Sequence, residues 1–522
     1  MQPYVDLRFD DNSSSCPFPF PSILEKEEHF GILKLYAETE HTTSEVVNKN
    51  IHVLITFDQS GSMGDICADR RTKMQHILHT LENMLRIFHS QKNKNISIFI
   101  QSFDDITYDI IDNIDNIREC DLMNIIDKIR TVEPDGCTNI ENALIKSFHH
   151  IQGFHTENPN HEIIHMFLTD GQITNGESNK QVLKKYVSPL ATNIFIGYGI
   201  EHDSGLLTHL GSGNANEYRF IDALDKAGLV YGEIIHDFLY PVFKNVSVQL
   251  TGAEIYNYET NGWTNKLYVG TLIHQKEKVF HIRRRLDTLV QVSLYSNDVL
   301  IHSTVRSSLT ESLFIYMLRQ KSQELLYQAN ELLTNKEVIK EEDIDTDFNL
   351  NDYIQSQNKE TQEEKDLKQR FKEFYAVLIN VTNKYKENPI LKMIKDDIYI
   401  SYKTFGTKYG SVYTSARQHS QGRQQTYSVS SITFTTDNSR LSNSNPFFPC
   451  NSHSLDTHIL SSSLVTPYFT KEVLTTMREV SGSYYPLSYS SSSSCTLSSS
   501  SSSPFSPYSP MSPSSLPGLK IP

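Results

Sequence analysis

Positive charge is scarce in this chain: 48 Lys and Arg stand against 62 Asp and Glu, a formal net charge of −14 over 522 residues. Phosphate backbones and anionic membrane surfaces repel such a chain, so nucleic acid is not an expected partner. Cysteine is sparse as well. Cys16, Cys67, Cys120, Cys137, Cys450 and Cys495 form no CxxC pair, which excludes a zinc ribbon or a dense disulfide framework and fits reduced thiols. No run approaches the ~18 to 20 apolar residues of a membrane span, and the opening MQPYVDLRFDDNSSS lacks a basic then apolar leader. The expectation is a soluble, cytoplasmic protein without a membrane partner. A phosphate-gripping signature is missing too: no GxxxxGK[ST] occurs. Asp343-x-Asp345-x-Asp347 starts like an EF-hand loop but has Phe348 and Ile354 where that loop needs Gly and Glu.

Periodicity organises what is present. Residues 1–29 show none and read as a loose N-terminal arm. From there to 238, apolar strand-like runs alternate with helical spacing. His52–Phe57, Ile96–Ile100, Ile163–Leu168 and Asn193–Ile196 read as strands. Met74, Ile77, Leu81, Leu85 and Phe88 mark a helix, as do segments near 122–129, 140–151 and 223–239. Near-continuous apolar strands between helices predict an α/β domain with a mostly parallel central sheet covered on both faces. Over 239–306 the period drops to two, with Val246, Val248, Leu250 and Val290, Val292, Leu294 alternating with polar residues, which predicts a small β-sandwich. A helical region follows over 307–400. It has an acidic connector at 337–360 and a helix opened by the capping box Thr361-x-x-Glu364. Residues 401–438 are polar and basic; their Lys403, Lys408, Arg417 and Arg423, interleaved with aromatics, suit docking on the acidic body better than single-stranded nucleic acid. Residues 439–522 are rich in Ser and Pro, and this composition predicts a disordered tail. Arg283 to Arg285 close a strand and read as a solvated turn.

One stretch carries chemistry. TFDQSGSMGD, residues 56–65, places Asp58, Ser60 and Ser62 just beyond the carboxyl end of the first buried strand, where open α/β sheets bind ligands. An Asp with two hydroxyls on a short loop can supply one face of the octahedron of oxygens that Mg²⁺ requires. Thr138, in PDGCTN, and Asp170, in LTDG, lie where later loops return to the same sheet edge. Asp65 reads as an exposed turn residue rather than a ligand of a second cation.

These residues resemble the von Willebrand factor type A (VWA) family, whose metal-ion-dependent adhesion site is written Asp-x-Ser-x-Ser, then Thr, then Asp-Gly. The likeness covers about residues 30–238, with Gly136-Cys137-Thr138 departing from the family's frequent Gly-Gly-Thr. It implies a Rossmann-like fold. It also implies an intact site in which Ser60, Ser62 and Thr138 touch Mg²⁺ (or Mn²⁺), while Asp58 and Asp170 bind directly or through water. The open position would take an Asp or Glu carboxylate from a protein partner, and the 223–239 helix would be the element that shifts. The layout is similar to intracellular VWA proteins of protists, plants and large DNA viruses, some with a RING that this chain lacks; a viral source would mean host cytoplasm or virion. The expectation is therefore a non-enzymatic, metal-dependent protein–protein interaction module. Two other readings stand beside it: an Mg²⁺-dependent phosphoryl-transfer or hydrolase enzyme, for which Ser60 occupies the place of a needed second acid, and a metal-free scaffold in a larger assembly.

Overall fold

The computed structural model describes residues 2–10, 28–38, 49–67, 69–213, 215–222, 227–285, 288–304, 308–310, 313–334, 361–407, 409–426, 468 and 470–481. The EF-hand-like stretch, the acidic connector and most of the Ser/Pro-rich tail lie outside these residues.

The α/β sheet has the order β5-β4-β3-β6-β7-β8, formed by β3 (Lys49–Asp58), β4 (Lys94–Phe103), β5 (Thr107–Ile114), β6 (Glu162–Thr169), β7 (Thr192–Tyr198) and β8 (Asn216–Ile221). All pairings are parallel except β4 with β5. Strands β3, β4, β6 and β7 are buried along almost their whole length, as a sheet covered on both faces demands. On one face lie α1 (Lys73–Ser90), α2 (Leu122–Arg130) and α6 (Ala227–Leu239), sharing a core with Ile55, Phe57 and Ile98. On the other lie α3 (Ile140–Glu157), α4 (Lys180–Leu183) and α5 (Ser204–Leu210), around Phe103, Phe167 and Phe195. The order reverses between β3 and β6, the topological switch point of the sheet.

The arm and the sandwich differ from expectation. Residues 2–10 are not loose: they form β1 (Gln2–Asp10), antiparallel to β2 (Glu28–Glu38), and β2 pairs in turn with β13 (Lys278–Arg285). Thus β2, read from sequence as the start of the α/β domain, lies in the sandwich. One sandwich sheet runs β11-β10-β13-β2-β1-β16 and the other β12-β9-β14-β15. The remaining strands are β9 (Pro241–Thr251), β10 (Glu254–Asn257), β11 (Gly262–Thr264), β12 (Lys266–Ile273), β14 (Gln291–Ser296), β15 (Val299–Thr304) and β16 (Ser308–Thr310). Leu7, Phe9, Leu33 and Leu35 meet Val246, Val248, Ile282 and Val292 in its core. The α/β domain is therefore inserted between two strands of the sandwich. The arm's strand did carry a signal, Val5, Leu7 and Phe9 alternating with Asp6, Arg8 and Asp10, but over only six residues before a Ser- and Pro-rich run without periodicity. Arg283 is in β13 rather than in a turn; its guanidinium pairs with Glu254 at 2.7 Å and Glu28 at 3.3 Å.

Four further helices follow: α7 (Phe314–Thr334), α8 (Gln362–Lys384), α9 (Pro389–Thr404) and α10 (Gly410–Arg423). Helix α8 opens on the capping box, with the Thr361 hydroxyl accepting from the Glu364 N–H and the Glu364 carboxylate accepting from the Thr361 N–H. Helix α10 packs Val412, Tyr413 and Ala416 against the α5/β8 side of the α/β domain. Arg417 is buried beside Asp397, and Arg423 reaches Glu259. These two cations are turned inward and present no face to nucleic acid. A last helix, α11 (Lys471–Ser481), stands inside the segment expected to be disordered. No helix among the described residues is long and apolar enough to cross a membrane.

Candidate functional site

Asp58 ends β3 and Asp170 follows β6, so the two carboxylates flank the switch point, both fully buried. Register makes this inevitable: Phe57 pairs with Leu168, so the next residues, Asp58 and Thr169, emerge side by side. Thr169 Oγ1 donates to Asp58 Oδ2 at 2.6 Å, and the Ser60 N–H donates to Asp58 Oδ1 at 2.8 Å. Beyond Asp58 the chain turns through a short helical turn, Gly61–Gly64, pinned by buried Met63. This turn aims Ser60 and Ser62 inward: their hydroxyls lie 3.2 Å apart, and Ser62 Oγ donates to Asp170 Oδ1 at 2.8 Å.

Thr138 arrives from a loop laced to the first. The Gly61 N–H donates to Gly136 O at 3.1 Å and the Asp135 N–H to Gln59 O at 2.8 Å. Gly136 has φ +73°, a conformation that favours glycine, and the departure at Cys137 leaves the loop intact because that thiol points to solvent. Thr138 is buried, and its hydroxyl sits over Gly171: a methyl group there would lie 3.2 Å from Thr138 Oγ1 and 3.7 Å from Ser62 Oγ. Asp58, Ser60, Ser62, Thr138 and Asp170 thus gather at one sheet edge.

Their donors are two carboxylates and three hydroxyls, an all-oxygen set matched to a hard cation. Among the described residues no group of three or more His, Cys, Asp or Glu is placed to hold a metal, so soft-metal chemistry has no competing centre there. Burial, with Asp170 nearby, pushes the Asp58 carboxyl up to about 7. Two buried carboxylates this close repel one another, and a divalent cation between them would relieve that repulsion.

Sequence reasoning missed Lys73. Its ammonium, at the first position of α1, donates to Asp170 Oδ2 at 2.6 Å and to Asp65 Oδ2 at 3.1 Å. Burial alone would lower its pKa, but Asp170 and Asp65 outweigh burial and raise it. Asp65 is consequently a partner of this lysine. A signal existed: a cation in the first turn opposes the helix dipole, so it calls for an acid from elsewhere. The turn is set by a second capping box, Thr72 with Gln75.

No protein-family model matches the chain, and no relative is found among curated proteins. Solved structures do match. A von Willebrand factor type A protein from Catenulispora acidiphila is 11% identical, with 64% of this chain and 82% of that one covered at a TM-score of 0.45. The ArnB paralog VWA2 from Sulfolobus acidocaldarius is 12% identical, with 81% and 99% covered at 0.45. Mussel byssus proximal thread matrix protein 1, in a form with a zinc-occupied MIDAS motif, is 16% identical, with 37% and 48% covered at 0.30.

Proposed function

We propose that the protein is a non-enzymatic, divalent-metal-dependent interaction module. In this reading Ser60, Ser62 and Thr138 hold Mg²⁺ or Mn²⁺ directly, Asp58 and Asp170 bind directly or through water, and an Asp or Glu carboxylate from a partner protein takes the open position. The observation that carries it is the pair of buried carboxylates converging with three hydroxyls at the switch point, one carboxyl pushed up to about 7 by burial and by the other. The surroundings bear on the order of events. Asp104, Asp105 and Asp135 are tied by hydrogen bonds to Gln59 and Cys137 of the same loops; their negative charge favours a cation nearby and disfavours a free carboxylate, so partner capture is expected to need the metal.

One observation favours a second reading, a metal-free scaffold: Lys73 already supplies Asp170 with a cation. Calorimetric titration of Mg²⁺ and Mn²⁺ into the full chain, beside Asp58→Ala, separates the two. Saturable binding lost in the variant supports the module. Absence of heat, together with an unchanged melting temperature in metal and in chelator, supports the scaffold.

A further inference from the structure

Helix α11 is chemically unlike the serine-rich sequence around it. Val473, Met477 and Val480, spaced i, i+4, i+7, are buried, while Glu472, Thr475, Arg478 and Glu479 face solvent. The apolar face enters a groove between α1, α6 and β12. Val473 and Met477 cluster with Leu229 and Ile273, and Val480 joins the core beneath α1 and α6. Asn83 of α1 donates to the Val480 carbonyl at 2.9 Å, and the His236 ring of α6 meets the Thr476 hydroxyl at 3.1 Å. Just before the helix, buried Tyr468 is seated in the core of the α7–α9 unit.

The groove is cut for a helix. Gly228 and Gly232 stand one turn apart in α6, where glycine weakens a helix. A methyl group at Gly232 would come 2.3 Å from Met477 Cα, and one at Gly228 would come 2.7 Å from Ser481 Cα. Two helix-weakening residues therefore give the backbone of α11 its close approach. For its part, an eleven-residue helix does not hold itself in water, and three buried apolar side chains set little against the entropy of ordering it. The chain also leaves α6 and returns to it: the Thr426 N–H donates to Glu233 of α6 at 2.8 Å, and residues 427–467 then intervene before Tyr468.

We propose that Tyr468–Ser481 is a tethered ligand of this chain's own groove, folding as it docks and releasing as a unit, and that the groove is a receptor for an amphipathic helix with apolar anchors at i, i+4 and i+7. Docked, the segment fastens α6 to α1; released, it frees that face of the last helix of the α/β domain. The proposal does not depend on metal binding.

The test uses the full chain and a fluorescent synthetic peptide of residues 466–484. Val473→Asp with Met477→Asp ejects the tethered segment and leaves the groove intact. Peptide is expected to bind this variant about a hundredfold more tightly than wild type, whose groove is occupied at high effective concentration. Adding Gly232→Leu to the variant should abolish binding. Three results would overturn the proposal: equal affinity for wild type and variant, no binding to a variant that melts like wild type, or loss of the variant's cooperative melt, which would make the helix a fixed part of the core.

Discussion

Replacing Asp58 with Asn should stabilise the metal-free protein, and more so at alkaline pH. The carboxyl is buried beside Asp170, and its pKa is pushed up to about 7. A folded-state value above the unfolded one means the folded protein binds the proton more tightly, so stability is lost as pH rises from the unfolded pKa through the folded one. A displacement of ~3 units at 1.36 kcal/mol each costs about 4 kcal/mol by pH 8 but only ~1.5 kcal/mol at pH 5. Asparagine fits the same place: its oxygen accepts from the Ser60 N–H, and its amide faces a Thr169 hydroxyl that can turn to accept. Denaturant melts in chelator should therefore show wild type losing roughly 2.5 kcal/mol between pH 5 and pH 8, and the variant losing none of that share. Excess Mg²⁺ should restore wild type at pH 8 and leave the variant unmoved. A wild type indifferent to pH over this range, or a variant weaker than wild type at pH 8 in chelator, would refute the reasoning.

Two other substitutions probe neighbouring charges. Lys73→Met removes the ammonium 2.6 Å from Asp170; divalent-cation affinity by calorimetry should rise roughly tenfold, since a competing cation is gone, while the metal-free protein melts lower. Glu233→Gln strikes the junction of α6 with the sandwich, where the fully buried Glu233 accepts from Arg219 at 2.9 Å and Lys276 at 2.8 Å. Leaving two buried cations short of their anion should cost about 3 kcal/mol in denaturant melts at pH 7. Burial alone would raise the Glu233 carboxyl, but Lys276 and Arg219 hold it below the usual range. Its contribution is therefore present above the unfolded pKa and is lost as pH falls through the folded one, and the two proteins should converge in acid.

The α/β domain was legible because each buried strand is its own signal: His52–Phe57 and Ile163–Leu168 need no partner to read as strands. Asp58, Ser60 and Ser62 were legible because a loop after such a strand has few places to go. Lys73 was not, since its acid lies far along the chain and only the fold brings Asp170 to it. β1 was overlooked for another reason: Val5, Leu7 and Phe9, which meet Leu35, Leu33 and Gly31 of β2, do alternate with charged residues, but the aperiodic stretch that follows set the reading of the whole arm. Helix α11 offered Val473, Met477 and Val480 at helical spacing, but surrounding serine and proline set the average, and composition outvoted three residues. Arg417 and Arg423 misled in another way: as cations they suggest a surface, and burial beside Asp397 and Glu259 spends that charge inside.

The insertion of the α/β domain into the sandwich sets an order on biosynthesis. Strands β1 and β2 are made first, yet the neighbour that covers the free edge of β2, β13, does not exist until the ribosome has passed Lys278. At typical rates of elongation that is an interval of tens of seconds, during which a two-stranded ribbon carrying Phe9, Leu33 and Leu35 has no opposing sheet. The inserted domain, with its consecutive strands mostly adjacent, can close meanwhile. Strands β1 and β2 are thus synthesised before the inserted domain and yet complete their core after it.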